Sequence, residues 1–274
     1  MSPTERSTLR VAVAGLGAVG FQVAKRLAAG LDGLALAAVS ARHRDAARAR
    51  MAEIAGGIPV LPAEELAAHA EVIVECAPAA VFTAIAEPAL RAGRVLVPIS
   101  VAALMEHLHL VELASSTGAR IVVPSGALLG LDAVRAAAEG EIQRVRMVTR
   151  KPPGGLAGAP YLLEHGIDVT ELHEPLRVFS GSAREGAAGF PANLNVAAAL
   201  GLAGIGLDRT ELEIWADPGV TRNCHRIEVE ADSARFELAI ENVPSEANPR
   251  TGRLVANSVV ATLKRLVSPL TVGT

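Results

Sequence analysis

The stretch "VAVAGLGAVGFQVAKRL", Val11–Leu27, decides how the rest of the chain is read. An apolar run ends at Ala14, glycines follow at Gly15, Gly17 and Gly20, and a helical pattern extends from about Ala18 to Ala29. A lone G-x-G-x-x-G says little, but between a strand and a helix it marks a dinucleotide-binding turn. Gly15 then permits the tight turn, Gly17 leaves room for a pyrophosphate, and Gly20 lets helix and strand approach. Backbone N–H groups over Gly15, Leu16, Gly17, Ala18, Val19 and Gly20 are the expected phosphate ligands. The alternative is a turn of purely structural purpose.

Outward from this turn, apolar runs recur at "LALAAVS" (Leu34–Ser40), "IPVL", "EVIVECA" (Glu71–Ala77), "RVLVPIS" and "ARIVVPS", with helical patterns between them. Continuous apolar strands separated by helices of about 10–15 residues imply βαβ units and a parallel sheet covered on both faces. After about Gly126 the texture changes. "RVRMVTRKP", "ELEIWADP", "HRIEVEA" and "RFELAIENV" alternate apolar and polar residues, as strands with one buried face do. The fold expected is α/β: a Rossmann-type doubly wound parallel sheet over residues 1–127, then an α+β domain with a mostly antiparallel or mixed sheet over 128–248. A closing helix within 249–274 is expected to pack back on the first domain. "KPPGGLAGAPYL" (Lys151–Leu162) is expected to be a mobile loop, since prolines and glycines disfavour regular structure. His165 and His173 are read as bordering a Glu-rich helical segment.

Composition excludes several classes. Half of the 274 residues are apolar, enough for a sizeable core, while the formal charge of −3 comes without a basic stripe of the kind nucleic-acid binders show. Cys76 and Cys224 are too few for a disulfide framework or a zinc cluster, so no metal is expected. Neither a leader pattern nor an apolar run near about 18 residues is present, and a cytoplasmic protein without membrane association is expected.

The cofactor's identity is less sharply written. A site selective for NAD often places an acidic residue about 20 positions after the glycines. This chain has Ser40-Ala41-Arg42-His43 there. Ser40 and Arg42 suit a 2′-phosphate, so NAD or NADP is expected; alternatively Arg42 and His43 are only the solvated start of a helix. Cys76 and Ala77, closing the strand "VIVEC", could face the cofactor, although a cysteine there also reads as a small buried hydrophobe. A bound nicotinamide makes hydride transfer the leading chemistry and leaves proton handling to the protein. Of seven histidines, His225 stands apart, sharing a strand face with Ile227 and Val229 rather than pointing to water. Spacing alone leaves a satisfied core histidine and a catalytic one both open.

The ordered set "GLGAVG", "VECA", "PSGALLGLDA", "RKPP", "GSAREGAAGFPANLNVAAALGLAGIGLDRT", "ADPG", "NCH" and "ANPRTG" resembles the L-aspartate dehydrogenase family over nearly the whole chain. That resemblance implies oxidation of L-aspartate with NAD or NADP to iminosuccinate, which hydrolyses to oxaloacetate and ammonia or feeds NAD biosynthesis. It implies His225 as the active-site histidine, with Ala127 and Asn195 as cofactor contacts. Asn195 also precedes an alanine-rich run and could cap that helix instead. Histidine, with an ordinary pKa of about 6.5, would accept the substrate's amino proton with little tuning. Two substrate carboxylates call for fixed positive charge, and Lys151 and Arg184 lie inside the matching motifs, as does Asn193. A homodimer is expected by analogy. The alternatives are a related enzyme of dihydrodipicolinate or homoserine type, or a noncatalytic NAD(P)-binding regulator. The first lacks its paired histidines here, since His165 stands alone in "LEHGID".

Overall fold

Val11, Ala12, Val13 and Ala14 have no exposed surface, which a strand attains only with neighbours on both edges and helices on both faces. They form β1 (Leu9–Ala14) in a computed structural model that describes residues 8–190, 195–248 and 251–273. Five further strands run parallel to it: β2 (Leu34–Ser40), β3 (Val60–Leu61), β4 (Val72–Glu75), β5 (Val95–Pro98) and β6 (Arg120–Ile121). Their order is β3-β2-β1-β4-β5-β6. The connections carry α1 (Ala18–Ala28), α2 (Arg44–Ala52), α3 (Leu66–His69), α4 (Phe82–Arg91), α5 (Val101–Glu106) and α6 (His109–Thr117). Side chains alternate along β1 and so feed two cores. Val11 and Val13 pack with Val19, Val23 and Leu27 of α1. Ala12 and Ala14 pack with Phe82, Ile85 and Leu90 of α4. The order reverses between β1 and β4, the switch point where open α/β sheets bind ligands.

This first unit runs to Pro124 and resumes at Val255. The resumed segment carries most of α11 (Arg253–Val267), whose Val259, Val260 and Leu263 are buried in the same core as Val11 and Val13.

The second unit spans Ser125–Leu254. In chain order it contains α7 (Leu131–Ala137), β7 (Ile142–Lys151), α8 (Pro160–Glu164), β8 (Leu176–Ser182), α9 (Ala183–Gly189) and α10 (Asn195–Ala203). Strands β9 (Thr210–Ala216), β10 (Asn223–Ala231) and β11 (Arg235–Asn242) follow. The sheet order is β11-β10-β7-β9-β8; β7 runs parallel to β9, and every other pairing is antiparallel. The α/β architecture expected from the patterning is therefore the observed one, with a mixed second sheet. Val145, Met147, Leu212, Ile214, Ile227 and Val229 line its buried face.

Two local expectations need correction. The Lys151–Leu162 segment contains a 3-10 turn at Pro153–Gly155 and the start of α8, in which Pro160 occupies the first turn. A proline's missing N–H has no helical partner to lose at that position, and Leu156 and Leu162 anchor the segment by burial. Between His165 and His173 no helix forms. Asp168 accepts the N–H of Thr170 at 2.8 Å and its hydroxyl at 2.7 Å, a local turn that competes with helical bonding.

Candidate active site

The glycine turn divides its three glycines by cause. Gly15 has φ of +94°, and a Cβ there would lie 2.5 Å from the Cys76 carbonyl oxygen. A Cβ at Gly20 would overlap the carbonyl oxygen of Gly15. Both positions need glycine to let the fold close. Gly17 does not, because a Cβ there would meet nothing within 4 Å. Gly17 caps α1, whose first turn has neither a side-chain cap nor an acidic residue, so the positive end of the helix is left for an anion. Leu16 and Val19 are buried, and only the backbone of the turn is on offer. The residues present thus fit a dinucleotide pyrophosphate.

Flanking strands fix this turn. The Gly15 N–H donates to Ser40 O at 2.7 Å, and the Cys76 N–H donates to Ala14 O at 2.7 Å. Arg50 of α2 donates to Leu16 O at 2.7 Å while its guanidinium lies 3.6 Å from the Phe21 ring centroid. Ser40 is buried, and Arg42 and His43 are exposed just beyond β2. Glu75, at the end of β4, has no exposed surface. Its carboxyl accepts the N–H of Ala77 at 2.8 Å and that of Ser100 at 3.0 Å, with the Ser100 hydroxyl also 3.0 Å away. Burial nevertheless raises its pKa. The same burial, with Glu75 beside it, pushes the Cys76 thiol up, so this cysteine is no ready nucleophile.

In the second unit three polar side chains of the sheet's buried face lie together at one end. His225, Thr149 and Lys151 are all buried. Thr149 and His225 are register partners across β7 and β10, with Oγ1 and Nδ1 3.1 Å apart. Two residues further along β7, Lys151 shares that face. Burial lowers its amine from 10.5 to about 8. Burial, then repulsion from Lys151, lowers His225 from 6.5 to about 3. The expectation of an imidazole needing little tuning is therefore corrected: His225 is neutral over the physiological range and a weak proton acceptor until some negative charge approaches.

Other expected site residues fall in different places. Ala127 lies in the turn after β6, and its carbonyl accepts Asn242 Nδ2 at 3.1 Å. Asn242 is buried, and its Oδ1 has no partner among the described residues. Asn195 opens α10 instead of preceding it. Arg184 is exposed and gives its guanidinium fork to Asp208, with Nη2 2.9 Å from Oδ2, so its charge is already spent. Asn193 lies outside the described residues. Arg226 pairs with Glu237 and Glu228 on the opposite sheet face from His225. A cleft of about 430 Å³ is lined by Arg146, Arg150, Trp215 and Arg226 of that open face and also reaches His225 and Ile240, but not Thr149 or Lys151. Among the described residues no group of acidic, histidine or cysteine side chains could hold a metal ion, and no helix is long and apolar enough to cross a membrane.

Thr149, Glu75, Arg50 and Asn242 escaped the sequence reading. A buried Glu ending "VIVE" was the one available signal, since a carboxyl that close to a strand of apolar residues is unusual.

A parallel sheet with a bare glycine turn, in one chain with a mixed sheet that buries a histidine and a lysine on one face, fits the class of two-unit oxidoreductases that use a nicotinamide dinucleotide. The match to the model "Homoserine dehydrogenase, NAD binding domain" covers residues 15–124, and that to "Aspartate dehydrogenase, C-terminal" covers 132–266. The L-aspartate dehydrogenase of Bradyrhizobium diazoefficiens is 53% identical over 99% of this chain and 96% of its own. L-aspartate dehydrogenase 3 of Bordetella bronchiseptica is 54% identical over 99% of this chain and 100% of its own. The solved aspartate dehydrogenase of Thermotoga maritima shares the fold, with a TM-score of 0.75 at 24% identity over 97% of this chain and 99% of that one. The chain belongs to the L-aspartate dehydrogenase family.

Proposed function

We propose that the protein oxidises L-aspartate to iminosuccinate with NAD or NADP, and that water then converts the imine to oxaloacetate and ammonia. The observation that carries this reading is the buried His225–Lys151 pair on one sheet face of a chain whose relatives at 53% and 54% identity are L-aspartate dehydrogenases. The residues that would hold the cofactor are the backbone of Gly15–Gly20, with Ser40, Arg42, Cys76, Ala77, Ala127 and Asn195 along its length. Bound there, the nicotinamide supplies a hydride acceptor at C4. Serine and arginine after β2, with no carboxylate among residues 40–43, tolerate a 2′-phosphate as well as a hydroxyl.

Lys151 grips a substrate carboxylate. A buried ammonium has lost much of water's solvation and gains correspondingly from an anion. That anion offsets the repulsion on His225 and lifts the imidazole toward its ordinary range. His225 then accepts the proton of the substrate ammonium, and the freed nitrogen lone pair supports loss of hydride from Cα. At the substrate the balance would be that Cα gives up its hydride, C=N forms, and the ammonium proton ends on the His225 imidazole. Arg184, already paired to Asp208, is left out of this scheme, and Asn193 stays in it as a second polar contact. The product imine suits a consumer that condenses a reactive imine, such as the first steps of NAD biosynthesis. A homodimer belongs to the same reading, with the open face of the second sheet as the available surface.

The test is an amino-acid screen with both cofactors at mildly alkaline pH, read at the reduced-nicotinamide absorbance. Aspartate turning over far ahead of homoserine and other amino acids is expected. Turnover of another substrate with aspartate inert would overturn the reading, and silence with every substrate in a protein that binds NAD(P)H would favour a regulator.

A further inference from the structure

We infer that Thr149 is the positioning residue for His225, fixing which imidazole nitrogen is left to meet the substrate. The inference rests on the reading of His225 as the acid/base. Its physical basis is the neighbourhood. Around His225 the buried face offers Ile240 across on β11 and Ile227 along β10, and Thr149 stands in register with apolar Ile214 of β9. In such a row a valine would pack as well as a threonine, because the two have nearly the same shape. A threonine there must desolvate a hydroxyl, and it recovers that loss through a partner. The partner is His225 Nδ1, 3.1 Å away.

A hydroxyl both donates and accepts. With Nδ1–H donating to Thr149 Oγ1, the lone pair sits on Nε2, and the ring is a base at that nitrogen. When Nε2 takes a proton, the bond from Nδ1–H to Oγ1 persists and strengthens, because its donor now belongs to a cation. Thr149 therefore supports the imidazole before and after proton transfer and prevents the ring from turning its Nδ1 outward. Among charged groups Lys151 acts on the imidazole from β7, whereas the residues beside it on the same face of β9, β10 and β11 are uncharged: Ile214, Ile227 and Ile240, with Asn223 and Asn242 at the strand ends. Two independent elements thus share the work: Lys151 sets the local charge, and Thr149 holds Nδ1 so that Nε2 is the nitrogen left to the substrate.

The experiment compares wild type, Thr149→Val, Thr149→Ser, His225→Ala and the Thr149→Val/His225→Ala double variant. Thr149→Val is expected to lose about 10- to 100-fold in kcat, the worth of one hydrogen bond to a group that becomes charged. NADH binding by fluorescence should be unchanged, and Thr149→Ser should recover most of the loss. In the His225→Ala background the valine should add nothing. A second readout needs no turnover: ¹⁵N-histidine spectra of the free protein, with the His225 signals identified by their loss in His225→Ala, should show a hydrogen-bonded Nδ1 in wild type and a shifted Nδ1 resonance in Thr149→Val. Equal kcat in wild type and Thr149→Val, equal losses in the valine and serine variants, or an unchanged Nδ1 resonance would each overturn the inference. Near-normal turnover in His225→Ala overturns the underlying reading instead.

Discussion

Replacing Lys151 by methionine should make the protein more stable and worse at its task. Lys151 is 5% exposed, and its amine is lowered from 10.5 to about 8 by burial. At about 1.4 kcal/mol per pH unit, that displacement corresponds to roughly 3 kcal/mol of stability lost at neutral pH by holding a charged amine inside. Methionine fills a similar volume with a flexible, apolar chain and carries no such penalty. The backbone bond from Asp217 N–H to Lys151 O, 2.8 Å, is untouched by the change. The sign follows from proton binding. Between pH 8 and 10.5 the unfolded chain holds the proton that the folded one has released, so wild-type stability rises with pH across that window. The advantage of Lys151→Met is full below about pH 8 and gone above 10.5. Urea denaturation read by tryptophan fluorescence suits the measurement, since the single tryptophan, Trp215, sits on β9 opposite Arg150 of β7 and so reports the unit that holds Lys151. The variant should gain about 2–3 kcal/mol at pH 7 and show at least a tenfold higher KM for aspartate with NADH affinity unchanged. A variant less stable than wild type at pH 7, or a gain that persists undiminished above pH 10.5, would refute the argument from the buried charge. An unchanged KM would refute the substrate role.

Three further outcomes follow from the same structure. His225→Ala should lose roughly 10²–10⁴-fold in kcat while binding NADH normally, measured by steady-state turnover and fluorescence titration. Gly17→Ala should fold with wild-type stability and bind cofactor poorly, because the added methyl meets no protein atom within 4 Å, whereas Gly20→Ala should lose stability through its overlap with Gly15; paired melts and NADH titrations separate the two. Glu75 is raised in the fold, so its neutral form is favoured at low pH, and that contribution is lost as pH climbs past the usual carboxylate range. The urea midpoint of Glu75→Gln should therefore gain on wild type as pH rises from about 4 to 7, and a constant difference would show that Glu75 does not titrate across that range.

What could be read from the chain was what is local. The glycine turn and the strand Leu34–Ser40 need only neighbours in sequence to declare themselves, and Gly15, Gly17 and Gly20 carry separate causes that separate spacings express. The second sheet was legible wherever period-two alternation is clean. Strand β8, "LRVFSGS", was missed because its register with β9 shifts between Arg177 and Phe179, which breaks the alternation. The site was less legible. Lys151, next to two prolines at the end of a strand, looks solvated. It is buried because the order β11-β10-β7-β9-β8 puts β7 in the middle. Thr149 reads as an ordinary strand residue until His225 arrives from 76 positions away. Glu75 likewise looks like a wet strand end, and only the Ser100 turn from the next βα connection encloses it. Side-chain chemistry set by non-neighbouring strands has no signature in a linear pattern.

Burial disfavours the charged forms of both Lys151 and His225, Lys151 also repels charge on His225, and a single anion relieves both. Linkage makes that relief reciprocal: whatever free energy an anion contributes to keeping Lys151 protonated, the protonated amine returns to binding the anion. Aspartate affinity should consequently weaken as pH rises past about 8, where the Lys151 amine loses its proton in the absence of substrate. Hydride loss needs a neutral substrate nitrogen, so the rate of the bound complex should rise over the same range. The product of the two is a maximum in kcat/KM whose alkaline limb belongs to Lys151. Lys151→Arg separates the contributions, because a guanidinium stays charged past pH 12. Its alkaline limb should move out of the accessible range while the acid limb, which reports His225 and the substrate amine, stays where it is. An alkaline limb unmoved in that variant would assign the limb to another group and remove Lys151 from the control of aspartate binding.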